Sequence, residues 1–250
     1  MAGCISVERI LSKLDEYLNK NDYVSAERHL RYWLAEAIGG CDVRVELLIR
    51  NELMGLMRKL SRREDALECV EEALSLIERE KISEQVGAAT SFLNCATVYK
   101  AFGEAEKGID LFCRAREIYE RELDATDSRL GGLYNNMALA LVDLHRFDEA
   151  KKLYEMAIEV MKQNEGGDLE VAITYLNMAS AAELELGLVD ADEIIHDLLD
   201  RAMTLLEAHP NKDGYYAFVC EKCASVFDYY GYFLYAAEIS ARARRIYEGT

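Results

Sequence analysis

Residues 91–119 read SFLNCATVYKAFGEAEKGIDLFCRAREIY, and their pattern recurs twice further along the chain. Residues 133–160 read LYNNMALALVDLHRFDEAKKLYEMAIEV, and residues 174–193 read TYLNMASAAELELGLVDADE. Each copy opens with an aromatic residue, Phe92, Tyr134 or Tyr175. Three residues later stands a medium apolar residue (Cys95, Met137, Met178), followed at once by an alanine (Ala96, Ala138, Ala179). Another apolar or small residue follows three positions on, at Tyr99, Leu141 and Ala182. Twelve residues after the alanine comes a second small residue, Gly108 or Ala150, then an aromatic, Phe112 or Tyr154, and a third small residue, Ala115 or Ala157. The alanines are 42 and 41 residues apart, so one helix-turn-helix unit is being repeated.

The spacing has a physical meaning. A small residue on each of two antiparallel helices lets the backbones approach, and large residues above and below fill the remaining space. Extending the register finds weaker copies on both sides. One carries Leu14 and Tyr17, then Ala26, Leu30 and Trp33, with Asn21-Asp22-Tyr23 as its turn. Another carries Leu53, Met54 and Met57, then Ala66, Val70 and Ala73. The last carries Cys220, Cys223, Ala224 and Phe227, then Gly231, Ala236, Ser240 and Ala243. A single proline, Pro210, in 250 residues agrees with an all-helical chain with short connections.

The pattern Phe92-x2-Cys95-Ala96-x2-Tyr99…Gly108-x3-Phe112 resembles the tetratricopeptide repeat (TPR). Its period, near 42 residues, is similar to the longer repeats of the kinesin light chain group. No copy keeps the motif's closing proline, and Gly39-Gly40, Gly131-Gly132 and Gly166-Gly167 are expected to punctuate the units instead. The fifth unit is irregular: Gly187 falls one place late, and a second helix over 190–208 is expected to run about a turn longer than its counterparts. The expected fold is all-α: a right-handed α-α superhelix, or solenoid, of about six TPR-like units within a single domain spanning residues 1–250. The units run approximately over 6–38, 43–80, 85–122, 128–163, 168–208 and 213–247.

The resemblance implies that the first helix of each unit lines a concave surface that grips a peptide or protein segment. First-helix residues outside the packing pattern then face that groove: Glu52, Asn94, Thr97, Asn135, Asn136, Asn177, Ser180, Glu183, Lys222, Ser225 and Tyr229. An asparagine recurs two positions before the small alanine, at Asn94, Asn136 and Asn177. Amides carry both donors and an acceptor and can pair with a peptide backbone of any sequence, a use that the resemblance implies. Hydrogen bonds to neighbouring helices or to water are the competing role for these amides. Family members that clamp a C-terminal carboxylate need several cations there; this chain offers only Lys222, beside Glu52 and Glu183.

Charge narrows the partner class. The formal net charge is −17, which disfavours phosphate backbones and anionic lipid surfaces, so neither nucleic acid nor membrane is expected as a partner. Eleven acids and one base, Arg201, lie between Asn164 and His209, a segment that serves either as a solvated face or as a surface for a basic partner. Ten of the 23 aromatic residues fall in the final unit, from Tyr215 to Tyr247, as the packing of a terminal unit or as a binding wall. Glu238, Arg242, Arg244 and Arg245 are expected on the outer side of its last helix, as a polar cap.

Catalytic groups are sparse. The seven cysteines have no framework spacing; Cys220-x2-Cys223 is half of a zinc or redox motif, but both fall on packing positions. His29, His145, His196 and His209 lie in different units without ligand spacing. Acid pairs Glu64-Asp65 and Asp148-Glu149 are expected at helix starts, where the dipole favours them. Met1-Ala2-Gly3-Cys4 resembles a lipoprotein box but lacks the apolar stretch such a box requires, so reduced thiols and a cytoplasmic location are expected. The expected function is a non-enzymatic scaffold or adaptor without a cofactor or metal, monomeric or weakly dimeric. A regulatory sensor of a small signalling peptide is the first alternative, and a metal-binding or redox protein using Cys220 and Cys223 the second.

Overall fold

The computed structural model describes residues 6–249; Cys4 and its neighbours lie outside the described residues. Helices account for all the regular structure among these residues. The chain divides into two compact units, one ending at Glu122 and one beginning at Leu123.

Unit 1 contains α1 (Val7–Asn19), α2 (Tyr23–Gly39), α3 (Val43–Lys59), α4 (Arg63–Arg79), α5 (Val86–Ala101) and α6 (Ala105–Glu122). Unit 2 contains α7 (Ser128–Asp143), α8 (Phe147–Met161), α9 (Asp168–Leu186), α10 (Asp192–Ala208), α11 (Gly214–Tyr229) and α12 (Phe233–Glu248). Within each unit consecutive helices pack as pairs, and first helices also pack on first helices: α3 on α5, α7 on α9, α9 on α11. Each pair has one apolar face too many to bury by itself, so stacking completes the core.

The turn inside a pair is almost always the same device. Asn21, Ser61, Gly103, His145 and Gly231 take positive φ values of 54°, 55°, 77°, 57° and 88°. The next residue's N–H then reaches back five places, as from Asp22 to Tyr17, Glu104 to Tyr99 and Tyr232 to Phe227, at 2.8–2.9 Å. This 6→1 bond satisfies a carbonyl that the helix end would leave open. Aspartates cap the following helices: Asp22 accepts from Ser25 N–H and Asp42 from Val45 N–H, both at 3.1 Å. Glu64-Asp65 and Asp148-Glu149 occupy the first turns of α4 and α8, as expected.

The small residues form the contact the repeat pattern requires. Ala96, Ala138 and Ala179 are fully buried, as are Ala115 and Ala157. In the weaker copies Met54, Met57, Ala66, Val70, Ala73 and Phe227 are fully buried too.

Three expectations are corrected. Gly131-Gly132 does not separate units; it lies inside α7, where Gly131 is pressed against the Met161 side chain. The extra turn of the fifth pair belongs to its first helix: α9 has 19 residues, whereas α10 starts at Asp192 and has 17. Gly187, at φ +85°, ends α9, and a longer turn over 188–191 follows instead of the standard one. Arg242 is no outer cap. It turns inward to Glu207 at 2.9 Å and to the Tyr216 hydroxyl at 2.5 Å, and it also pairs with Glu238.

Candidate functional site

In unit 1 the first helices α3 and α5 enclose a cavity of about 460 Å³. Leu47, Leu48 and Ala88 supply apolar wall, while Asn51, Glu52 and Asn94 bring polar groups to it. Glu52 and Asn94, both of the groove set read from the sequence, line this cavity together. Burial holds the Glu52 carboxyl above the usual carboxylate range, with a smaller push from the charge of Asp15. Asn51, absent from the sequence-based set, has a buried side-chain oxygen without a hydrogen-bond partner. Its place immediately before Glu52, on the same exposed-to-buried boundary, was the available signal. Thr97 is engaged otherwise: its hydroxyl donates to the Leu93 carbonyl at 2.8 Å, one turn back.

In unit 2 the amides meet one another. Asn177 Nδ2 donates to Asn135 Oδ1 at 3.1 Å, and the Thr174 hydroxyl donates to the same oxygen at 3.3 Å. Asn136 donates to the Gly132 carbonyl of its own helix at 2.8 Å. Of the recurring asparagines, Asn177 bonds to a neighbouring helix and Asn136 to its own. The Ser180 hydroxyl donates to Leu176 O at 3.3 Å and the Ser225 hydroxyl to Lys222 O at 3.1 Å. Lys222 Nζ lies 4.9 Å from the Phe218 ring centroid.

Four acids of the acidic segment are partners of tyrosines in the final pair. Glu183 accepts from the hydroxyls of Tyr229 and Tyr230, both at 2.7 Å. Asp200 accepts from Tyr232 at 3.1 Å, Glu207 from Tyr235 at 2.9 Å, and Glu170 from Tyr215. Asp168 Oδ2 lies 2.7 Å from Nδ1 of the buried His209, whose ring stacks on Tyr216. The matched excess of carboxylates in one pair and tyrosines in the next was the signal for this docking, and no local pattern pairs them individually. Glu183 and Tyr229 are thus joined, while the exposed ring of Tyr229 still faces solvent.

Cys220 and Cys223 are buried on α11. Burial pushes the Cys223 thiol up to about 12 and raises Cys220 as well, opposite to the thiolate character that metal ligation or redox exchange requires. Among the described residues, no group of three or more histidine, cysteine, aspartate or glutamate side chains is placed to hold a metal, and no helix is long and apolar enough to cross a membrane.

Comparison with known proteins agrees with this geometry. The tetratricopeptide repeat profile matches residues 47–121 and 129–190. The Arabidopsis thaliana protein Kinesin light chain-related 2 is 28% identical over 120 residues, which cover 38% of this chain and 18% of that protein. The match therefore spans under a fifth of the curated relative's length. Among solved structures, BtubC (BKLC) from P. vanneervenii superposes with a TM-score of 0.68 at 23% identity, over 82% of this chain and 83% of that one. A structure of nearly identical TPR-like repeats from Podosopora anserina superposes with a TM-score of 0.56 at 18% identity, over 80% of this chain and 94% of that one. Repeat pattern, helix pairing and profile agree: the chain belongs to the tetratricopeptide repeat family.

Proposed function

We propose that this protein is a non-enzymatic adaptor that holds a segment of a protein partner against the first helices α3 and α5. Tetratricopeptide repeat proteins are scaffolds that typically mediate protein–protein interaction, and the family is generally non-enzymatic. The observation that carries the finer reading is the cavity where Glu52 and Asn94 meet over an apolar wall. Pockets of this size, largely apolar with a few convergent polar groups, are where proteins seat a ligand's side chains. Asn94 and Asn51 offer amides for the backbone of a bound segment, Leu47 and Leu48 take an apolar side chain, and Glu52 favours a donor or a cation. In unit 2 Asn135 and Asn177 hold α7 to α9, and their role is to shape that surface. The chain acts in the cytoplasm as a single repeat domain.

Capture from native lysate tests this with three forms of the chain: wild type, Leu48→Asp/Asn94→Ala, and the outer-helix control Glu68→Gln. The expected result is a partner retained by wild type and control and lost by the groove variant, with circular dichroism showing all three folded. Equal recovery by all three would place binding elsewhere. A ligand that proves to be a short free peptide, with compaction of the chain on binding, would replace the adaptor reading with the sensor one.

A further inference from the structure

The turn of the fifth pair is unlike the others. Elsewhere the pair turns carry polar residues such as Asn21-Asp22, Ser61-Arg62 and His145-Arg146. Here Gly187 ends the lengthened α9 and Ala191, fully buried, anchors the start of α10. The residues between are forced outward. Leu188 is 53% exposed and Val189 87%, with Leu184, Leu186 and Ile194 also open to solvent. Exposed apolar side chains are ordinary singly, but a contiguous group marks a contact surface.

The next pair adds an exposed apolar residue on the same edge. The bonds from Tyr229 and Tyr230 to Glu183 bring the end of α11 beside the end of α9. The α11–α12 turn therefore lies on the same edge of unit 2, and it exposes Leu234 at 90%.

The rim of this patch has one sign. No lysine or arginine occurs between Lys162 and Arg201, while Asp190, Asp192 and Glu193 flank the apolar tip and are exposed. Lys151 of α8 is tied to Glu185 at 2.8 Å. A second copy docked through this same patch would set Asp190, Asp192 and Glu193 near their own images, and an anionic surface would be repelled by the same groups. What fits is apolar in the middle and cationic at the sides.

We propose that the edge formed by the Gly187 turn and the α11–α12 turn is a second docking surface, whose partner is a basic amphipathic helix. The partner's leucine-like face covers Leu188, Val189 and Leu234, and its lysines or arginines face Asp190, Asp192 and Glu193. This surface lies in unit 2, whereas the α3–α5 cavity lies in unit 1, so the two readings stand or fall separately.

The test uses the full chain and a fluorescein-labelled 14-residue synthetic helix with leucines on one face and lysines on the other. A second peptide has every lysine replaced by glutamate. Fluorescence anisotropy measures binding to wild type, to Leu188→Ser/Val189→Ser, to Asp190→Asn/Asp192→Asn/Glu193→Gln, and to the groove variant Leu48→Asp/Asn94→Ala. The lysine peptide should bind wild type and the groove variant alike, lose at least about tenfold in Kd with each edge variant, and outbind the glutamate peptide by a similar factor. The serine variant keeps every charge, so an unchanged Kd there would reduce the effect to generic attraction by an acidic protein and overturn the proposal. Loss of binding only with the groove variant would overturn it too. So would a wild-type dimer, seen by analytical ultracentrifugation, that Leu188→Ser/Val189→Ser dissolves, since the occupant would then be a second copy.

Discussion

Gly108 of α6 lies so close to Ala96 of α5 that a β-carbon on the glycine would sit 3.0 Å from the Ala96 carbonyl oxygen and 3.2 Å from its α-carbon. Both neighbours are backbone atoms, which yield less easily than a side-chain tip. This contact is the physical form of the repeat's small-residue spacing.

Gly108→Ala should therefore destabilise by overpacking, at about 1–3 kcal/mol before the gain in helix propensity offsets part of it. Gly55, in the middle of α3, has nothing within 4 Å of the same position, and Gly55→Ala should stabilise by about 0.5–1 kcal/mol. Opposite signs in urea denaturation are the expected result; equal signs would contradict the contact. In unit 2, Ala138→Leu should cost about 1–3 kcal/mol for the same reason, because Ala138 and its counterpart Ala150 are both buried.

Tyr230 is half-buried and donates to Glu183, so Tyr230→Phe leaves that carboxylate short of a donor and should cost about 1 kcal/mol. Tyr229→Phe, at an exposed position, should change thermal stability little. In a double-mutant cycle, Tyr230→Phe combined with Glu183→Gln should cost less than the sum of the single changes. Strict additivity would mean that the hydrogen bond does not hold α11 to α9.

Glu52 has a folded-state pKa above its ordinary value of 4.5, because burial disfavours its charge. The folded chain therefore takes up this proton before the unfolded chain does. As pH falls through the raised value, this group's contribution to stability increases, and it levels off below about 4.5. Glu52→Gln should accordingly raise Tm at pH 7, and the difference from wild type should shrink as pH falls toward 4. Calorimetry across that range checks it; a Gln variant less stable than wild type at pH 7 would mean that Glu52 is held by a favourable partner.

Thiol labelling separates the cysteines. Cys41 is exposed, whereas burial pushes the Cys69 thiol up to about 11 and those of Cys95 and Cys223 up to about 12. In a Cys4→Ser background, Cys41 should react with a disulfide reagent at least about tenfold faster than Cys95 or Cys223 in the folded chain, and denaturant should abolish the difference. Rapid reaction of Cys223 without denaturant would revive a redox role for the Cys220 pair.

The sequence alone determined the helix pairs, their period and the residues at their contacts, because each of these is a local matter of which face a helix must bury. Ala96, Gly108 and Ala138 were legible as packing positions for that reason, and Asn21-Asp22-Tyr23 as a turn. The turn of the fifth pair was misjudged because α9 extends to Gly187 only when its extra turn has neighbours to rest against. Gly131 was taken as punctuation because a glycine's local signal does not distinguish a loop from a close approach, and here Met161 of the facing helix made the difference. Of the groove residues, Glu52 and Asn94 come together because α3 packs on α5. Asn177 donates to Asn135 because α7 packs on α9. Only tertiary structure could divide one ladder of similar amides into those that hold helices and those that line a cavity. Side-chain pairing over 40 residues depends on how neighbouring repeats stack, and no local spacing encodes that.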